Sequence, residues 1–484
     1  MPDLHALRHR LERAGQQHLL YFHDRLSPDA RRALLAQIEA IDLDAVPVLV
    51  RDYVLGTPPI DLPADIEPAP YYPNDPASPV RTWDRTAYRA AGEALLRAGK
   101  VACFTVAGGQ GTRLGYDGPK GCYPAGAVTG KPLFQFFAEG IRKTGEKYGV
   151  PPPWYVMTSP LNHDATVAFF EERGYFGLRR DAVMFFPQGT RPSFDLHTGR
   201  ILLAAPGEIA TNPDGHGGSL RALKVSGSLD DMRRRGVEHL SYFQVDNPIV
   251  RVTDPVFLGL HATAPDSSAE MSSKMLAKAY PEEKLGVFCV AGGRLRIIEY
   301  SDLPIERQRE RLPDGRLRFL AGSPAIHVLS VEFVERLNSD PAFALPWHRA
   351  EKKVPCIDPD TGERVEPREP NGVKLERFVF DALPLARASI VYEADRVEEF
   401  APIKNAEGVD SPRTSREIQT LRAARWLEAA GVKVPWREER LTDGTTRRVP
   451  DCTIELSPLT ALERDDLLHG RGILIIEPGS SLVV

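Results

Sequence analysis

Residues 101–122 read VACFTVAGGQGTRLGYDGPKGC, an apolar run that breaks into glycine and then presents one arginine and one lysine. Val101 to Val106 is short, β-branched and uncharged, the signature of a strand buried on both faces of a parallel sheet. Strands of that kind deliver ligand loops at their carboxyl ends. Gly108, Gly109, Gly111 and Gly115 leave backbone N–H groups bare, so the loop suits phosphate oxygens, with Arg113 and Lys120 to neutralise their charge. Two other phosphate motifs fail. The dinucleotide fingerprint G-x-G-x-x-G puts its third glycine where this chain has Leu114, and a Walker A reading of 126–131 is a residue short and runs into Pro132.

Outward from this loop, apolar strands alternate with amphipathic helices. VACFTVA is followed by a helix over 132–147 with Leu133, Phe136, Phe137 and Ile141 on one face. WYVMTS, a helix over 162–172 and AVMFFPQ come next, an α/β pattern. LSYFQVDNP and LGVFCVAGGRLRIIEYS add strands, RTSREIQTLRAARWLEAAG reads as a helix, and CTIELSPL and GILIIEPGSSLVV read as β structure. Before the loop, residues 3–25 carry leucines at helical spacing, and Ser27-Pro28-Asp29 has the chemistry of an N-cap and first turn. The passage DLPADIEPAPYYPNDPASP resists regular structure and reads as a linker or surface arm, with a short helix from about Arg85 to Ala98 after it.

At 484 residues the chain exceeds a single hydrophobic core, which implies about two or three structural units. Its 61 basic and 66 acidic residues give a net charge of −5, so no global field draws it to nucleic acid or an anionic membrane, and any anion site must be local. Cys103, Cys122, Cys289, Cys356 and Cys452 are scattered and odd in number, which suggests neither a disulfide framework nor a zinc site and fits a reducing compartment. The charged amino terminus does not read as a signal peptide, and no run approaches the ~18 apolar residues of a membrane span; a cytoplasmic location is expected.

Two further segments bear chemistry. A second glycine-rich turn, ATNPDGHGGSLRAL, spans 210–223, and Asp246 ends the strand in LSYFQVDNP. Asp246 is suited to a divalent cation shared with substrate phosphates, and equally to an Asp-Asn-Pro turn. Lys404 in EEFAPIKNAEG reads by itself as a surface lysine. Phe378 and Phe380 alternate in LERFVFD like core-facing strand residues, and His216 is equally a satisfied loop histidine or a donor to a sugar hydroxyl.

Together, AGGQGTRLGYDGPKG, PQG at 187–189, PDGHGG at 213–218, VDNP at 245–248, EYS at 299–301, NGVKLERFVFD and FAPIKNAEG resemble the eukaryotic-type UDP-sugar pyrophosphorylase family, and most closely its UDP-N-acetylglucosamine branch. The likeness runs in order from AGQQHLLYF near residue 14 to about residue 420. It implies a Rossmann-like, GT-A-like nucleotidyltransferase with a central mixed sheet flanked by helices. It also implies an N-terminal helical region with its proline-rich arm over 1–98, a catalytic domain over 99–404 and a small β-rich domain over 405–484.

The implied reaction is transfer of UMP from UTP to a sugar 1-phosphate with Mg²⁺ or Mn²⁺, by a monomer or weak homodimer that binds neither nucleic acid nor membrane. Carried across by motif, Arg113, Lys120 and Lys404 become the catalytic cations and Asp246 the metal ligand. Gly108, Gly109, Gln188 and Gly215 hold the nucleotide, and His216, Gly286, Glu299, Ser323, Phe378 and Phe380 line the sugar site. Two departures bear on the sugar: His216 replaces the asparagine usual in PDGNGG, and Ser323 replaces the asparagine of AGN. UDP-N-acetylglucosamine is the expected product. UDP-glucose or broad specificity is the alternative, and a non-catalytic UDP-sugar sensor is the alternative of another class.

Overall fold

The computed structural model describes residues 4–56, 62–63, 65–340, 343–440, 444–467 and 475–484. It divides the chain into two compact units, each assembled from three separated segments: Met1–Asp61, Gln188–Ser219 and Ala344–Asp381 in the first, Leu62–Pro187, Leu220–Phe343 and Ala382–Val484 in the second.

The second unit is built on an eleven-stranded mixed sheet. Val101–Val106, buried at every position, lies between His239–Gln244 and Trp154–Thr158, parallel to both, and Val183–Pro187 continues the parallel set. On the other side of His239–Gln244 the sheet turns antiparallel through His327–Ser330 and Met271–Ala277. The four parallel strands therefore present their carboxyl ends, with the loops that follow, along one edge. Helix Leu133–Tyr148 buries the face expected of it, Leu133, Phe136, Phe137 and Ile141, and rings of Phe134, Phe137, Trp154, Phe170 and Phe243 meet edge-on or tilted beneath the sheet.

The proline-rich passage differs from its reading as an arm. Glu67–Pro68 pairs with Val287–Ala291 at the sheet's margin, and Ile66, Ala69 and Tyr72 are buried. Tyr72 explains the docking: its hydroxyl donates to Asp266 at 2.5 Å, its ring meets Trp83 edge-on, and its backbone bonds both Val391 and Glu393. Prolines exclude helix here, but the aromatics between them supply enough burial to fix an extended chain.

Helix Pro412–Ala429 begins at Ser411, whose capping box with Thr414 is complete. Thr453–Glu455 and Ser481–Val483 pair in parallel beside it; residues 472–474 of the expected terminal β run lie outside the described residues. Glu455 fastens this region to the loop after the glycine turn, accepting from the backbone of Val128 and Thr129 at 2.9 and 2.8 Å. Glu463 does the same for helix Arg85–Arg97 and for Lys147, through Arg89 at 2.8 and 2.7 Å and Lys147 Nζ at 2.6 Å.

In the first unit, helices Leu4–Arg13 and Pro28–Glu39 share a core with Phe194, Val373 and Leu375 of one small antiparallel sheet, Leu203 of another, and Ile201, which bridges to Phe194. The AGQQHLLYF motif acts here. Buried Gln16 donates to Gly199 O at 3.1 Å and accepts from Ile201 N at 2.7 Å, closing a ladder position that the chain itself leaves open. Among the described residues, no helix is long and apolar enough to cross a membrane.

Candidate active site

The glycine loop is held from within and from behind. Gly111 N donates to Gly118 O at 2.9 Å and Lys120 N to Gly109 O at 3.0 Å, so the loop returns Lys120 to the sheet edge from which it departed. Behind it, fully buried Asn162 donates Nδ2 to the carbonyls of Ala107 and Gly109 at 3.0 and 3.1 Å, while its Oδ1 accepts from Ser159 N at 2.8 Å. The carbonyls of Ala107 and Gly109 are thus occupied, and Gly111 and Gly115, expected to leave their N–H groups bare, donate them within the loop to Gly118 O and Thr112 O; Arg113 lies exposed on the turn Thr112–Leu114. Asn162 escaped the reading of the sequence; its only signal is a side chain suited to backbone mimicry, just ahead of helix His163–Glu172.

Lys120, Asp246 and Lys404 come from three distant parts of the chain and meet at that edge. Lys120 Nζ stands 3.7 Å from Asp246 Oδ2, with the two side chains 16 % and 12 % exposed. Asn247 beside it presents both ends of its carboxamide to one passing strand of chain: Nδ2 donates to Glu399 O at 2.6 Å and Oδ1 accepts from Ala401 N at 3.1 Å. Ile403 N then reaches Asp246 O at 2.9 Å, which leaves Lys404 next in line. Lys404 Nζ is 4.0 Å from Asp410 Oδ2, and its N–H donates to Asp410 O at 2.6 Å. Burial pushes the Asp410 carboxyl above its ordinary value, an effect that Lys404 opposes and nearby Asp246 reinforces.

A buried charge cluster backs this arrangement. Lys274, 0 % exposed, donates to Asp254 at 2.5 Å and to both oxygens of Glu399 at 2.7 and 2.6 Å. Burial works against ionised Asp254, but Lys274 and Arg251 hold its carboxyl well below the usual carboxylate range. Glu399 thus ties the cluster through its side chain and Asn247 through its carbonyl.

The expected sugar residues fall in two groups. In the second unit, Ser323 N donates to Gly286 O at 2.8 Å, and the space a Cβ would need at Gly286 is taken by Ile297 and by Glu299, whose Oε1 would lie 3.0 Å from it. Gly286 therefore admits the Glu299 carboxylate rather than leaving an empty recess. In the first unit, the PDGHGG turn docks backbone to backbone on 377–379: Arg377 N donates to Asp214 O at 2.9 Å and Gly217 N to Arg377 O at 2.7 Å. Gly215 has φ +83°, and a Cβ at Gly215 or Gly217 would collide with the Arg377 backbone, so the contact demands glycine at both.

Docking also changes what LERFVFD becomes. Its strand ends at Glu376 and Val379–Leu385 is a 3₁₀ turn, so Phe378 and Phe380 do not alternate along a strand; their ring centroids lie 5.1 Å apart, tilted. His216 stacks on Phe378 at 5.1 Å with 15° between planes, and Val379 N donates to its Nδ1 at 3.1 Å. Burial, helped by His348, brings the imidazole down to about 4. A neutral ring with Nδ1 accepting carries its proton on Nε2, so His216 is a donor. Buried Gln188 completes the expected residues of this unit; Asp214 of the PDGHGG turn, not singled out from the sequence, is buried too, which pushes its carboxyl up to about 6.

Residues 77–413 match the family described as UTP–glucose-1-phosphate uridylyltransferase. The chain belongs to this family. Within it, the chain is 37% identical over 486 residues to the human UDP-N-acetylhexosamine pyrophosphorylase-like protein 1, covering 96% of this chain and 95% of that one. It is 36% identical over 437 residues to the UDP-N-acetylglucosamine pyrophosphorylase of Saccharomyces cerevisiae, covering 87% of this chain and 90% of the relative. The crystal structure of the Trypanosoma brucei uridine diphosphate N-acetylglucosamine pyrophosphorylase aligns with a TM-score of 0.78 at 26% identity, over 99% of this chain and 98% of that one. The mixed α/β architecture expected of a uridylyltransferase of this family is the one observed.

Proposed function

We propose that this chain transfers UMP from UTP to a sugar 1-phosphate, releasing pyrophosphate, with N-acetylglucosamine 1-phosphate as its preferred acceptor. The observation that carries this reading is the gathering of Lys120, Asp246 and Lys404 at the sheet edge that carries the glycine loop, in a chain of the uridylyltransferase family. Both reactants are polyanions, so the protein's task is to position them and neutralise charge. A sugar-phosphate oxygen attacks the α-phosphorus of UTP, the bond to the bridging oxygen breaks, and pyrophosphate leaves with that electron pair. No covalent enzyme intermediate is required.

Asp246 fits a Mg²⁺ site of the kind completed by substrate. Among the described residues no group of three or more His, Cys, Asp or Glu side chains is placed to cage a metal, and Mg²⁺ is usually held by one or two carboxylates together with phosphate oxygens and water. When bound, the ion would supply charge at the phosphates. Lys120, drawn to Asp246 as the chain stands, is then free to turn to a phosphate oxygen.

A second reading, acceptance of glucose 1-phosphate as well, is favoured by His216, whose donor Nε2 matches a hydroxyl as readily as an acetamide oxygen. A pyrophosphate-release assay with UTP, Mg²⁺ and a panel of sugar 1-phosphates tests both. Turnover with N-acetylglucosamine 1-phosphate ahead of the rest is expected; binding of UDP-sugar with no turnover of any acceptor would refute the transferase reading for this chain.

A further inference from the structure

Phe378 is shared by two imidazoles. His216 stacks on it at 5.1 Å, and His348 stacks on it more closely, at 4.1 Å with 25° between planes. The assembly is tied down at both ends. Val379 N donates to His216 Nδ1 at 3.1 Å, and His348 Nε2 lies 2.8 Å from Asp381 Oδ2. A carboxylate only accepts, so His348 carries its proton on Nε2. The backbone of His348 is fixed as well, because His348–Lys352 pairs with Gly372–Glu376 and sets His348 opposite Glu376.

We infer that His348, held by Asp381, is a positioning residue for sugar selection: it fixes the Phe378 ring, and through it the aim of the His216 Nε2–H donor. The inference rests on the transferase reading, in which His216 and Phe378 face the acceptor. Phe378 lies two residues beyond Glu376, the last residue of its strand, and its ring orientation depends on what packs against it, the two imidazoles and Phe380. A ring with one face released can rotate, and the donor stacked on it then samples directions that miss the acceptor atom of the sugar. Asp381 closes the arrangement, since an unpaired imidazole with 29 % of its side chain exposed would have other rotamers open to it. The wall is thus a relay of contacts, Asp381 to His348 to Phe378 to His216, in which the first two members govern selectivity without offering the sugar a group of their own.

The test is steady-state kinetics on purified His348→Ala, His348→Phe and Asp381→Ala, varying N-acetylglucosamine 1-phosphate and glucose 1-phosphate at saturating UTP, then UTP at saturating acceptor. His348→Ala is expected to raise KM for N-acetylglucosamine 1-phosphate by about three- to tenfold, the worth of one aromatic pair, with the acceptor preference changed and KM for UTP at the wild-type value. His348→Phe restores the stack and returns the acceptor KM to within about twofold. Asp381→Ala behaves as a weaker His348→Ala. Unchanged acceptor KM and preference in His348→Ala, or an equal rise in KM for UTP, would overturn the inference. Should His348→Ala not fold, Asp381→Ala measured against His348→Phe decides the same question by the same two constants. Failure of the transferase reading looks different: the wild type itself would release no pyrophosphate.

Discussion

The backbone N–H of Ile403 donates to the carbonyl of Asp246 at 2.9 Å. That bond sets the register of Lys404 against the one carboxylate at the strand end, and the carboxamide of Asn247 repeats the constraint on Glu399 and Ala401. Charge neutralisation in phosphoryl transfer depends on placing cations where charge develops, so on the proposed transferase reading the spacing between aspartate and lysine, fixed by backbone bonds, bears on the rate.

Asn247→Ala is therefore expected to leave Glu399 O and Ala401 N without partners in a buried place, costing about 1–3 kcal/mol of stability. It should also lower kcat, because Lys404 is no longer held in line. Urea unfolding and pyrophosphate release on the same preparation check both; unchanged kcat in a folded variant would remove the clamp from the catalytic account.

Lys120→Ala and Lys404→Ala are each expected to lower kcat by about 10²–10³, the usual consequence of removing one charge-stabilising group from a transition state. The measurement is turnover at saturating UTP, Mg²⁺ and acceptor. Wild-type kcat in both folded variants would assign the phosphates elsewhere.

His216→Asn keeps a donor at the wall but gives up the stack on Phe378. The ratio of kcat/KM between N-acetylglucosamine and glucose 1-phosphates is expected to shift by about ten- to a hundredfold at most, since small pocket differences contribute only ~1–3 kcal/mol. With the imidazole at about 4, the wild-type ratio should also stay level from pH 5 upward, because His216 remains neutral across that range.

Glu463 predicts an acid limit to stability. Burial alone would raise its carboxyl, but hydrogen bonds from Arg89 and Lys147 outweigh it and bring the group from 4.5 to about 2. A folded value below the unfolded one means the stabilisation is fully present above pH 4.5 and is lost as pH falls toward 2. At neutral pH it amounts to about 3 kcal/mol. Glu463→Gln should lower the unfolding midpoint at pH 7 and much less at pH 3; an equal loss at both would show packing, not charge, to be the source.

The amino-acid sequence by itself determined the local elements and the kind of chemistry. The all-buried run Val101–Val106, the helical face of Leu133, Phe136, Phe137 and Ile141, and the Ser27-Pro28 cap are written in side-chain period and capping chemistry, which act within a few residues. Glycines beside Arg113 and Lys120 suit an anion loop, and Asp246 after a strand suits a cation and a turn equally, because backbone exposure and charge are properties of residue type. What the tertiary structure alone decided was company. The Pro-rich passage became sheet margin through Tyr72 and Asp266, Phe378 left the strand pattern because Gly215 and Gly217 dock on Arg377, and Asn162, Asn247 and His348 gained their roles. Each depends on a hydrogen bond or ring contact between segments far apart in the chain, and a contact of that kind leaves no periodicity in either segment to be read. Lys404 shows the limit most plainly: alone it is a surface lysine, and bonds between distant segments, Ile403 to Asp246 and Asn247 to Glu399 and Ala401, bring it to the strand end that carries Asp246.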